Sequence, residues 1–276
     1  GTLTSGLTLG IFLGSVVSIM MQSHFNATEM NSWAWRIPFI VGGIFGFIAM
    51  YLRRWLKETP IFLEMQKREK ADISKKLPIW NVLSDHLPQV SLSILLTWVL
   101  SAGIMVVIVT AHVYLQGQFG FSEIDVSVSR LLATIGLAIG CVFYGYFADK
   151  FSIGKVISAG CLFATLAIGT FFVSLSFGNE ILYITYPIAG FSVGIVGAFP
   201  YYMVRAFPAK VRYSGVAFSF NISYAITGAL TSFLIPILAN FFSKYAAGFY
   251  VIGVFICGSV LGWYIIRKEK ELSEDI

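Results

Sequence analysis

Five side chains inside long apolar stretches could hold a small polar molecule: Trp98, His112, Arg130, Asn221 and Tyr224. Trp98 and Tyr224 offer aromatic faces, which attract a quaternary ammonium through cation–π contact. Arg130 carries a planar fork that matches a carboxylate. The imidazole of His112 titrates near neutral pH and could relay a proton. An amide such as that of Asn221 is costly to leave unbonded in an apolar medium, and it could hydrogen-bond a zwitterion. Plainer roles compete with each of these. Aromatic residues make up 16% of the chain, so packing is the first explanation for any single ring. A lone His near the end of a span is ordinarily an interfacial hydrogen-bonding group. Arg130, with Glu123 and Asp125 close by in sequence, reads first as an arginine that snorkels to the interface. Asn221 has the strongest claim of the five.

The reactive constellations of enzymes are missing. No pair of carboxylates lies within an apolar run, and the sequence has no HExxH, no GxSxG and no Gly-x-x-x-x-Gly-Lys-(Ser/Thr) loop. Repeated pore loops and rings of charge, which a channel would want, do not appear either. Cys141, Cys161 and Cys257 each sit in an apolar run without a CxxC spacing or a nearby His. They are expected to be buried thiols packing as small hydrophobes, with no disulfide framework, metal site or cofactor implied.

The elements that must position these groups follow from composition. Of 276 residues, 57% are hydrophobic and 12% charged, with a mean hydropathy of +0.79. Soluble domains carry roughly twice that share of charge. The net charge of +5 is therefore read as membrane topology rather than nucleic-acid binding. A hydrocarbon core of about 30 Å takes roughly 20 helical residues to cross. Apolar runs of that order fall at 3–22, 34–52, 90–114, 127–148, 156–177, 181–203, 214–238 and 246–266. Pro187, Pro200 and Pro236 interrupt the sixth and seventh, which membrane helices tolerate where neighbours satisfy the freed carbonyls.

Charge sets the expected orientation. Arg53, Arg54, Lys57, Lys67, Arg68, Lys70, Lys75 and Lys76 crowd one polar connector, and the same side collects Lys150, Lys155, Arg205, Lys210, Arg212, Arg267, Lys268 and Lys270. The loops of the opposite side hold only Lys244. Positive residues stay on the cytoplasmic side, so both termini and the connector are expected there, in a cell inner (plasma) membrane. In the first run Gly6, Gly10 and Gly14, followed by Ser18, share one helix face, a ladder that lets another helix approach closely.

Four motifs together carry a family likeness. Trp35-Arg36-Ile37-Pro38-Phe39 precedes the connector, and Glu58-Thr59-Pro60-Ile61-Phe62 lies within it. Further on come Gly145-Tyr146-Phe147-Ala148-Asp149-Lys150 and the segment from Phe207 through Arg212 to Gly215, with Asn221 downstream. The set resembles the major facilitator superfamily, and within it the metabolite:proton symporter branch that includes bacterial proline/glycine-betaine transporters. The third motif looks like the family's Gly-x-x-x-Asp-(Arg/Lys) loop between helices eight and nine, and the fourth like its FPTRVRYTG…N segment.

That resemblance implies an all-α integral membrane fold in which the eight spans correspond to helices five to twelve of a twelve-helix transporter. Residues 1–52 would be the last two helices of the N-terminal half, 53–89 the basic connector, 90–266 the six-helix C-terminal half and 267–276 a cytoplasmic tail. The chain is accordingly expected to be a fragment that acts with a separately encoded N-terminal part, or else an inactive remnant. The implied activity is secondary active transport of proline, betaine or a related small zwitterion or organic acid by alternating access, with the proton as coupling ion. No Asp or Glu lies deep in a span, so the coupling carboxylate is expected in helices outside this sequence. Gly145, Asp149, Lys150 and Arg212 fall in the gating loops, where Asp149 would latch and release helix ends; an ordinary charge pair ending a helix is the alternative. Ser152 stands where the family has Gly, and Arg205 where it has Glu.

Overall fold

The structure, a computed structural model, describes residues 2–55, 78–208 and 211–274. The described residues contain helices and no strand. Most of the basic connector, and with it Glu58 to Phe62, lies outside them. Two compact units emerge, Leu13–Leu77 and a larger one made of Gly1–Phe12 with Pro78–Ile276.

Helix α1 runs Thr2–His24 and α2 runs Arg36–Arg53. Between them Asn26 and Glu29 cap one another: the Glu29 N–H donates to Asn26 Oδ1 at 2.9 Å, and the Asn26 N–H donates to the Glu29 carboxylate at 3.0 Å. This reciprocal box restarts the helix and leads through a π-helical turn, Met30–Ala34, into α2. No residue of α2 is buried, and Phe39 and Phe47 are more than 70% exposed. An all-round apolar helix of this kind is suited to lipid rather than water.

The larger unit is a six-span bundle preceded by the short helix α3, Pro78–Asp85. Helix α4, Leu87–Ile104, is its axis, with buried residues on every face from Val90 to Ile104. It continues as a π-helical turn, Met105–Val109, and breaks at Thr110 before α5, Ala111–Phe119. The break is hydrogen-bonded rather than frayed: Thr110 donates its hydroxyl (2.9 Å) and its N–H (2.7 Å) to the Met105 carbonyl. The Tyr186 hydroxyl donates to the Val107 carbonyl at 2.6 Å. Neighbouring side chains thus satisfy backbone that lipid could not. Gly120, at φ 71°, stops α5 in the left-handed conformation that favours glycine.

Helix α6, Glu123–Lys150, begins at Ser122, whose Oγ accepts from the Asp125 N–H at 3.1 Å. Acidic residues in its first turn and Lys150 in its last complement the helix dipole. Helices α7 (Ile153–Ser174) and α8 (Asn179–Val193) follow. Helix α8 contains Pro187 and passes through a 3₁₀ turn, Gly194–Ala198, into α9, Phe199–Ala206. Helices α10 (Arg212–Phe241) and α11 (Ala246–Glu274) complete the unit.

Three seams hold these helices together. Helix α6 packs on α8 through Gly136 and Gly140 facing Gly190 and Gly194: a Cβ on Gly194 would lie 2.5 Å from Gly140 backbone, and one on Gly140 would overlap the Phe191 carbonyl. Helix α7 packs on α11 through Gly154 and Ser158 facing Gly262 and through Cys161 facing Gly258, and a Cβ on Gly262 would lie 2.5 Å from Ser158 N. Close backbone approach is what small residues supply in lipid, where apolar burial between helices gains little. The third seam, α4 on α10, is lined by hydroxyl side chains.

Among the described residues seven helices are long and apolar enough to cross a membrane: Met30–Arg53, Leu87–Val109, Glu123–Lys150, Ile153–Ser174, Asn179–Ala206, Arg212–Phe241 and Ala246–Glu269. They match the expected spans from the second to the eighth. The first expected span is the helix α1, of which the stretch Leu9–His24 counts as a shorter apolar helix. Two local expectations are corrected. The third span ends at the Thr110 break rather than running straight to 114. Cys141 and Cys161 are buried as expected, whereas Cys257 is exposed, on the side of α11 turned away from the α7 seam.

Candidate functional site

The α4–α10 seam places two of the five candidates. Along α10, Gly215, Ser219, Ser223 and Thr231 are buried at intervals of a helical repeat, and Ser93, Thr97 and Ser101 are buried on α4. Ser223 Oγ donates to the Ile94 carbonyl at 2.7 Å, and the hydroxyls of Ser101 and Thr227 meet across the seam. Trp98 lies on this side of α4, and its indole N–H donates to the Tyr250 hydroxyl at 3.1 Å. That hydroxyl also contacts Thr231 Oγ1 at 2.9 Å. One relay therefore ties α4, α10 and α11 together, with the polar edge of Trp98 occupied by protein. Tyr224 is half-buried, its ring stacked on Phe220 with centroids 5.6 Å apart.

Asn221 sits elsewhere. It is on the exposed face of α10, and its Nδ2 donates to the Ala217 carbonyl of its own helix at 2.8 Å. Ser223, two residues on, points into the seam instead. Nothing brings Asn221 to the Trp98 relay.

His112 of α5 and Arg130 of α6 lie toward the other end of α4, where these two helices pack together. The two side chains act on one another electrostatically, and Arg130 acts likewise on Tyr186 of α8. Asp125, close to Arg130 in sequence, is engaged elsewhere. The Asp125 carboxylate accepts from Asn179 Nδ2 at 2.9 Å and from the Tyr183 hydroxyl at 2.7 Å, which fastens the start of α6 to α8.

The loop candidates lie at the opposite end of α6. Asp149 and Lys150 are exposed, and the Asp149 carboxylate makes no hydrogen bond or ion pair with the described residues. The Lys150 ammonium rests 4.4 Å from the Tyr146 ring centroid. Arg212 donates from Nε to the Phe207 carbonyl at 3.2 Å, holding the turn before α10. Gly145 is half-buried one turn before Asp149. The Ser152 hydroxyl, at the start of α7, donates to the Glu269 carboxylate on α11. The substituted position thus carries a contact of its own, which motif comparison alone does not reveal. Gly6, Gly10 and Gly14 stand open, with nothing within 4 Å of a Cβ built on any of them.

The hydroxyl seam was missed at the sequence level, although its signal is there: Gly215, Ser219, Ser223, Thr227 and Thr231 recur every four residues. The Asp125 hub had no such signal, because its partners lie 54 and 58 residues away.

Known proteins agree with this architecture. The sequence profile of the Major Facilitator Superfamily matches residues 1–230. An inner membrane metabolite transport protein of Escherichia coli (strain K12) is 24% identical over 259 residues, covering 89% of this chain and 57% of its own. A putative proline/betaine transporter of Staphylococcus haemolyticus is 27% identical, over 94% of this chain and 56% of that one. The shikimate transporter of Escherichia coli (strain K12) is 26% identical, over 86% and 54% respectively. The chain thus spans a little over half the length of these relatives. Matched along most of its length by a family of membrane transporters rather than enzymes, and built from helices suited to repeated crossing of the bilayer, the chain belongs to the Major Facilitator Superfamily.

Proposed function

We propose that the chain supplies the C-terminal half, and the last two helices of the N-terminal half, of a proton-coupled secondary transporter for small zwitterions or organic acids such as proline or betaine. The observation that carries this reading is the pair of interruptions inside the larger unit, the π turn at Met105–Val109 and the 3₁₀ turn at Gly194–Ala198. Transporters break spanning helices where irregular backbone lines a cavity and where one part of a bundle moves against another. Relatives named for proline, betaine and shikimate supply the substrate class. Closing a cavity then takes a further set of N-terminal helices, on the same polypeptide or a separate one, and that set is the partner in this proposal. Both termini and the connector face the cytoplasm, as the asymmetry of Lys and Arg supports.

Uptake of labelled proline and glycine betaine into cells lacking their own osmolyte carriers tests the reading. Residues 1–276 expressed alone are expected to accumulate neither, and the same residues joined to four N-terminal helices of a relative are expected to accumulate one or both. Robust uptake by the 276 residues alone would overturn the need for that partner. For topology, a cysteine placed in 53–76 should resist an impermeant thiol reagent added to intact cells; rapid labelling there would reverse the orientation.

A further inference from the structure

The junction of α5 and α6 holds two buried nitrogens without hydrogen-bond partners. Arg130 Nε and His112 Nδ1 are both shielded from solvent, and neither has a hydrogen-bond partner. His112 Nε2 lies 3.4 Å from Gln116 Nε2. With the Gln116 amide nitrogen donating to this ring nitrogen, the imidazole proton sits on Nδ1. One nitrogen of a permanent cation and one of an imidazole are thus buried without a hydrogen-bond partner, on two side chains that act on one another electrostatically. Both conditions are costly in a membrane protein.

Among the described residues, the neighbouring acidic and hydroxyl groups are engaged elsewhere or exposed. The Asp125 carboxylate is taken by Asn179 and Tyr183. The Tyr186 hydroxyl, which Arg130 reaches electrostatically, donates to the Val107 carbonyl. Glu123 is exposed in the first turn of α6 and acts on His112 only through space. Water could accept one hydrogen bond but would leave the guanidinium charge unbalanced. A carboxylate does both: it is planar, it carries a charge opposite to Arg130, and its two oxygens can accept from two separate donors.

We propose that Arg130 and His112 form a binding site for the carboxylate group of a small organic ligand, with Arg130 as the charge anchor and His112 as the second donor. The inference rests on the transport reading above and sharpens it: the ligand is selected by its carboxylate rather than by an ammonium group. It also assigns the recognition step to the guanidinium of Arg130 rather than to the aromatic face of Trp98.

Binding to the purified 276-residue chain in lipid nanodiscs tests this, with glycine betaine, choline and inorganic phosphate as probes. Betaine and choline share a quaternary ammonium, and only betaine has a carboxylate. Betaine is expected to bind, choline not to, and phosphate to compete poorly. Arg130→Gln should weaken betaine binding tenfold or more, Arg130→Lys should restore part of it, and His112→Phe should weaken it by a smaller factor. Arg130→Lys keeps the charge in place, so it tests the site even where the Gln variant folds poorly. Equal binding of betaine and choline, betaine binding indifferent to Arg130→Gln, no binding of any probe, or phosphate binding as well as betaine would each overturn the assignment. Uptake separates the two levels. Transport that persists in Arg130→Gln sinks the site and leaves the transport reading standing; carboxylate binding through Arg130 without transport in any context does the reverse.

Discussion

Two seams in the larger unit are built from the same small-residue vocabulary to opposite effect. Between α6 and α8, Gly136, Gly140, Gly190 and Gly194 let backbone touch backbone, and no side-chain atom can be added without collision. Between α4 and α10, Ser223, Thr227, Thr231, Ser101 and the Trp98–Tyr250 pair hold the helices through hydrogen bonds. Hydroxyl contacts between membrane helices are individually weak, averaging about 0.6 kcal/mol, and each can be exchanged for another acceptor. Packed glycines offer no such exchange. The glycine seam is thus suited to remain fixed, and the hydroxyl seam to yield when helices move or a ligand arrives.

That contrast can be broken by substitution, and the largest effect belongs to the glycines. Gly140→Leu or Gly190→Leu should destabilise the bundle by about 3 kcal/mol or more, because backbone rather than a flexible side chain would have to move. Thermal unfolding in detergent and the yield of folded protein measure it, and near-normal stability would show that the two helices do not meet as described. On the hydroxyl seam Trp98→Phe removes one donor and keeps most of the packing, so a loss of about 1 kcal/mol is expected. Paired Ser101→Ala and Thr227→Val changes should couple by about 1 kcal/mol in a double-mutant cycle. Additive single effects would mean that the two hydroxyls do not support each other. Smallest of all, Gly10→Leu should leave the stability of the isolated chain within about 0.5 kcal/mol, since nothing lies within 4 Å of the added carbon. A large loss there would reveal a partner for the ladder within this chain.

The same contrast marks what could be read from sequence. Apolar runs located the spans, because lipid demands a long uninterrupted stretch and the chain shows it plainly. Partners were another matter. Gly6, Gly10 and Gly14 carry the same spacing as Gly136 with Gly140 and Gly190 with Gly194, yet only the latter two pairs meet other backbone. Periodicity names a face without naming what covers it. Asn221 illustrates a related limit: its type argued for a buried role, while its register on α10 turns it outward, with Ser223 taking the seam. Asp125 gave no local sign of its partners, and the fold gives its carboxylate to Asn179 and Tyr183 on α8. The break at Met105–Val109 has no proline to announce it and is held by Thr110 and the distant Tyr186.

The most direct measurement is proton-gradient-driven uptake in membrane vesicles. The chain, joined to the first four helices of a proline/betaine relative, is assayed with labelled glycine betaine. Accumulation that collapses when the gradient is dissipated, and that falls at least tenfold in Arg130→Gln, is the predicted result. Normal insertion with no accumulation of proline, betaine or shikimate, or accumulation indifferent to the gradient, would contradict a proton-coupled transporter.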